Sequence, residues 1–169
     1  EAKKALDEAI WNSGPVVIEA WNELAELTGR QYKPVETYKA EGADTLILAM
    51  GSICETASIA VDEMRASGKK VGLVNLRLWR PLPTEELKKV LSSAKDVVVL
   101  DRALTPGGAN SPLTSEIRAL MYGESVRPNI YCMVAGLGGR DVTPADIATM
   151  VEKALTDKHL GHYIYGVRG

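Results

Sequence analysis

Residues 134–147, VAGLGGRDVTPADI, place Gly136, Gly138 and Gly139 at the end of an apolar run and follow them with Arg140 and Asp141. Glycines let a backbone approach a phosphate closely, and a helix start offers free N–H groups to an anion. The spacing nonetheless argues against a dinucleotide. After Gly136 and Gly138 the third position of a GxGxxG fingerprint is Asp141, and no further strand–helix–strand unit follows to hold the ligand. The same residues also suit a plain corner: Thr143 caps a helix, Pro144 takes its first position, and Asp146 sits where a capping box needs a carboxylate. Arg140 and Asp141 then read as structural or interface charges.

The other chemistry-bearing residues are similarly poor in catalytic company. Gly51 and Ser52 in MGSICET resemble a phosphate turn, although a lone Gly-Ser corner is weak evidence. Asp101 and Arg102 close the run VVVLDR and suggest a carboxylate with its cation; a partner for Arg140 or for the RPLP loop, which carries Arg80, is the reading they favour. Cys54 stands in the first turn of a helix, where the dipole lowers a thiol pKa, but no histidine lies near it in sequence, so a buried neutral thiol is the simpler reading. His159 and His162 fall near the carboxyl end, away from these loops, which disfavours a Ser-His-Asp triad or a zinc site.

What must position these residues is a regular alternation. Residues 15–28 show a helical stripe of Val17, Ala20, Trp21, Leu24 and Leu27, started by Pro15 and stopped by Gly29. Residues 29–44 lose the pattern and read as a connecting arm. From there TLILAM, KVGLVNLRL, DVVVLD and IYCMVA alternate with CETASIAVDEMRAS, TEELKKVLSS, LTSEIRALMY and PADIATMVEKAL. Ile53, Ala57, Ala60, Val61 and Met64 form one helical stripe, and Ile147, Met150, Val151, Ala154 and Leu155 another. Strands that are apolar at successive positions and joined by helices pair in parallel under helices on both faces. The fold class is therefore α/β, a three-layer α/β/α sandwich. Its expected division is an N-terminal helix and arm over 1–43, the α/β domain over 44–157 and a tail over 158–169. The strand-to-helix loops starting at Gly51, Arg77, Asp101 and Gly136 all fall on the carboxyl edge, where open α/β sheets form their crevice.

Composition narrows the partners. The 169 residues suit one domain plus an arm, and 46% hydrophobic with 25% charged residues is ordinary for a folded chain. A net charge of -2, with no basic block, disfavours nucleic acid. Two cysteines far apart supply neither a disulfide framework nor an iron–sulfur ligand set, and fit a reducing cytoplasm. No apolar run approaches a membrane span.

Taken together, the edge loops resemble one family. TGRQY at 28–32, AEGADTLILAMGS at 40–52, GKKVGLVNLRLWRPLP at 68–83, VVVLDR at 97–102 and GLGGRDVT at 136–143 are similar to the α subunit of 2-oxoacid:ferredoxin oxidoreductases of the pyruvate synthase type. After DR the family often carries an FGxxGPL-like stretch, where this chain has TPGGANSPL at 105–113. The YIYGVRG ending is also similar, which implies a native carboxyl end and a truncated amino end. The resemblance implies a fold like the C-terminal domain of transketolase, with a mixed, mostly parallel sheet. It also implies a whole enzyme that uses thiamine diphosphate, magnesium, [4Fe-4S] clusters and coenzyme A to decarboxylate a 2-oxoacid and reduce ferredoxin. No catalytic, cofactor-binding or metal-binding residue is assigned here. Arg80, Asp101, Arg102, Arg140 and Asp141 are instead expected to stabilise the edge loops or to meet other domains and subunits of a dimeric complex. Two alternatives stand beside this: a small anion or coenzyme A pocket at Gly51, Ser52, Gly138 and Gly139, or the equivalent domain of a transketolase or a 2-oxoacid dehydrogenase β subunit.

Overall fold

A computed structural model describes residues 1–157 and 161–167. Two helices lead: α1 (Ala2–Asn12) and α2 (Gly14–Thr28), the latter with Pro15 in its first turn and ended by Gly29 in the left-handed conformation. The sheet strands are β1 (Val35–Tyr38), β2 (Thr45–Ala49), β3 (Val71–Leu76), β4 (Asp96–Asp101), β5 (Asn129–Val134) and β6 (His162–Ile164). Between them run α3 (Ile53–Ala66), α4 (Thr84–Leu91), α5 (Pro112–Met121) and α6 (Pro144–Thr156). In space the order is β1-β3-β2-β4-β5-β6, with β1 antiparallel to β3 and all other pairs parallel. This is the three-layer α/β/α sandwich that the alternation of apolar runs implies.

The pleat divides the core in two. Ile47, Ala49, Leu73, Val98, Leu100 and Met133 point to the face covered by α3 and α6. Leu46, Leu48, Val74, Leu76, Val97 and Val99 point to the face covered by α4 and α5. Because β2 and β4 are covered on both sides, every residue from Leu46 to Ala49 and from Val97 to Leu100 is buried, each large one contributing roughly 1.5–3 kcal/mol relative to exposure. The stripes expected on α3 and α6 face this core; of their members only Leu155 is partly rather than fully buried.

Two boundaries differ from the sequence pattern. The supposed arm contains β1, whose four residues from Val35 to Tyr38 pair with Leu76 to Leu73. A four-residue edge strand between Pro34 and Lys39 has too short a period-two signal to stand out. The supposed tail contributes β6, which places His162 opposite Cys132; His159 lies outside the described residues. Gly72 marks where the chain crosses closest, since a Cβ there would lie 2.7 Å from the Ala40 Cα and the Lys39 carbonyl oxygen.

Candidate functional site

The chain leaves β2 for β3, then returns across β2 to β4, so the reversal falls between the carboxyl ends of β2 and β4. That is where an open α/β sheet presents its crevice. The loop after β4 is occupied by its own backbone. Asp101 is 6% exposed; one carboxylate oxygen accepts from the Ala103 amide at 3.1 Å and the other from the Leu113 amide at 3.0 Å. Leu113 is fully buried in the first turn of α5, so its N–H has no access to water. Asp101 thus serves as the missing acceptor for a helix-start donor.

The start of α5 is further fixed from beneath. Ser111 caps the helix by accepting from the Thr114 amide at 3.3 Å, and its hydroxyl donates to the Thr114 hydroxyl at 2.8 Å. The Ser111 amide points at Cys132 Sγ at 3.3 Å. Arg118 donates to Asn110 Oδ1 and to the Ile130 carbonyl, both at 2.6 Å, tying the end of the loop to β5. None of this network stood out in the sequence, although Ser111 followed by Pro112 is a helix-start signal.

The glycine corner after β5 is a short 3-10 turn, Leu137–Gly139, entered through Gly136 at φ 73°. The positive φ favours glycine at 136, and a Cβ there would also displace the Arg102 side chain, whose Nε would lie 2.9 Å away. Arg102 donates to the Gly136 carbonyl at 3.4 Å. The corner ends in the expected capping box: the Thr143 amide donates to Asp146 at 2.8 Å while the Asp146 amide donates to the Thr143 hydroxyl at 3.2 Å. A further bond was not foreseen, from the Tyr165 hydroxyl to Asp146 at 2.7 Å. The Thr143 amide first, then the Tyr165 and Thr143 hydroxyls, hold the Asp146 carboxyl below the ordinary carboxylate range.

The five candidates do not converge. Asp101 bonds amides rather than Arg140 or the RPLP loop, which corrects the expected pairing; a buried carboxylate beside an orphaned helix donor is satisfied locally. Arg80 pairs with Glu116 at 2.9 Å and lies over the Trp79 ring at 5.0 Å, while Trp79 Nε1 donates to the same Glu116 oxygen at 2.6 Å. Arg140 lies along the Gly166 backbone beside Leu137 and Ile164. Both Arg140 and Asp141 are exposed, and neither forms an ion pair among the described residues.

Beside Gly51 is a cavity of about 330 Å³ lined by Trp21, Tyr32, Met50, Asn75 and Arg77, among others. Its cation is already engaged: Arg77 pairs with Glu36 at 2.8 Å and stacks over Tyr32 at 4.8 Å. Burial pushes the Cys54 thiol up to about 12, more than offsetting the nearby Arg77, so it is a neutral core residue and not a nucleophile.

These features define a three-layer α/β/α sandwich whose loop after β4 is satisfied by its own backbone. The chain belongs to the pyruvate:ferredoxin oxidoreductase core domain II family, whose model matches residues 43–147. It is 41% identical over 155 residues to pyruvate synthase subunit PorA of Methanothermobacter thermautotrophicus, covering 90% of this chain and 39% of the relative. To the PorA subunit of Methanocaldococcus jannaschii it is 36% identical over 166 residues, covering 95% of this chain and 41% of the relative. The chain thus spans about two-fifths of these relatives.

Among solved structures, a 2-oxoglutarate:ferredoxin oxidoreductase from Magnetococcus marinus, with 2-oxoglutarate, coenzyme A and succinyl-CoA bound, is similar at TM-score 0.54 and 26% identity. The match covers 72% of this chain and 20% of that one. A split-gene transketolase, an inactive β4 tetramer, is similar in fold at TM-score 0.56 and 22% identity, covering 77% of this chain and 45% of that one.

Proposed function

We propose that this chain is a non-catalytic assembly domain of a 2-oxoacid:ferredoxin oxidoreductase, which oxidatively decarboxylates pyruvate or a related 2-oxoacid to an acyl-CoA, carbon dioxide and reduced ferredoxin. The observation that carries the reading is that Asp101, the buried carboxylate of the carboxyl edge, is engaged by the domain's own backbone. Arg140, which lies along the Gly166 backbone, and Asp141 are both exposed at the same edge. They are the charges we assign to the contact with other domains and subunits of the complex, which is dimeric overall and cytoplasmic. Arg80 and Arg102 hold the neighbouring loops through Glu116 and the Gly136 carbonyl.

Iron–sulfur clusters need several thiolates, whereas Cys54 packs on the α3 side of the sheet and Cys132 contacts Ser111 at the start of α5. No cluster of three or more His, Cys, Asp or Glu suited to a metal ion occurs among the described residues, and magnesium with thiamine diphosphate asks for carboxylates free to coordinate. We assign thiamine diphosphate, magnesium, the [4Fe-4S] clusters and coenzyme A to the other parts of the enzyme.

The test is calorimetric titration of the 169-residue chain with coenzyme A, thiamine diphosphate and nucleotides. The assembly reading expects no saturable heat. Saturable binding lost on Gly138→Ala or Gly139→Ala would favour the small anion pocket instead.

A further inference from the structure

Helix α2 is apolar on two sides. Val17, Ile18, Trp21 and Ala25 are half-buried toward the domain, where Trp21 meets Tyr32 edge-on at 6.4 Å between ring centres. A second stripe at helical spacing, Val16, Ala20, Leu24 and Leu27, points away from it. Val16 is 62% and Leu27 85% exposed, and not one residue of the helix is fully buried. Glu19, Glu23 and Glu26 complete the helix as a third, polar side. A surface helix needs one apolar stripe; a helix with two is sandwiched between two bodies.

We propose that the Val16–Leu27 stripe of α2 is the docking surface for another domain of the same oxidoreductase subunit, so that α2 is shared between the two. This rests on the assembly reading above and names the surface through which one such contact is made. The occupant follows from the family comparison. The relatives carry some three-fifths of their length outside the match. A match reaching 95% of this chain leaves too few residues outside it to omit α2, although the family model itself begins only at residue 43. Helix α2 is therefore part of the longer relatives but lies outside the domain's common core, as a joint between domains would.

The native thiols permit a direct test, since Cys54 and Cys132 are both buried. Leu24→Cys, Leu27→Cys and, on the polar side, Glu26→Cys are each labelled with N-ethylmaleimide in the chain alone and in the assembled enzyme. The expected result is that the thiols at 24 and 27 react at least about tenfold more slowly in the assembled enzyme, as thiols reached only through local opening do, while that at 26 changes little. Equal rates at 24 and 27 in the two preparations would overturn the proposal while leaving the assembly reading intact. Protection in the chain alone that grows with its concentration would overturn it in favour of a second copy of this chain. Failure of the unaltered chain to enter any oxidoreductase would remove both readings.

Discussion

Replacing Asp101 separates an architectural carboxylate from a catalytic one. Its two oxygens serve different environments: the Ala103 amide is part-buried in an exposed loop, whereas the Leu113 amide is enclosed. In Asp101→Asn the remaining carbonyl oxygen can keep Leu113 while water replaces the bond to Ala103, so the loss should be about 1 kcal/mol, near the net worth of one hydrogen bond. In Asp101→Ala the Leu113 donor is stranded and a charge-assisted bond disappears, for a loss of roughly 2–4 kcal/mol. For a chain of 169 residues each kcal/mol corresponds to about 2–4 °C of melting temperature. Urea titration and thermal melting of the two variants should therefore fall in that order. In the assembled enzyme, turnover per intact complex should match wild type for Asp101→Asn. An Asp101→Ala chain as stable as wild type, or an Asp101→Asn complex that is intact yet inactive, would refute the architectural reading.

Three further outcomes follow from particular contacts. Asp146→Ala removes the capping box and the Tyr165 tether and should cost about 1–2 kcal/mol at pH 7. Because the folded-state carboxyl lies below its ordinary value, this stabilisation is present above the unfolded-state pKa and lost as pH falls through the folded one. The gap between wild type and Asp146→Ala in urea titrations should therefore close toward pH 3. Gly72→Ala drives a Cβ into the backbone of residues 39 and 40 and should cost about 1–3 kcal/mol, with faster amide exchange in β1 by NMR; an unperturbed β1 would contradict the close crossing. Cys54, with its thiol pushed up to about 12, should resist aromatic disulfide reagents at pH 8 until the chain is unfolded, and rapid reaction in the native state would contradict its burial.

The sheet was legible because β2 and β4 are apolar at successive positions and the helices between them carry single stripes. Burial on two faces and on one face leaves those two patterns. The glycine corner was legible for the same local reason, since Thr143, Pro144 and Asp146 state the helix start in sequence. What escaped was short or non-local. β1 has four residues, and its place is set by pairing with β3 across some 35 residues of chain. Leu113, Glu116 and Tyr165, the distant partners of Asp101, Arg80 and Asp146, lie 12, 36 and 19 residues away, and no local spacing encodes those contacts. The stripe on α2 was visible, but Val17 and Trp21 were grouped with Ala20, Leu24 and Leu27 as one face, where the structure separates an inward set from an outward one.

Assembly through the outward charges at the carboxyl edge is the central claim, and the mass of the purified complex tests it most directly. With Arg140→Ala and Asp141→Ala together, light scattering on the size-exclusion eluate should show a dissociated subunit, or a cofactor assay of the same eluate should show a complex depleted of cofactor. A complex of full mass and full cofactor content, altered only in turnover, would contradict the account.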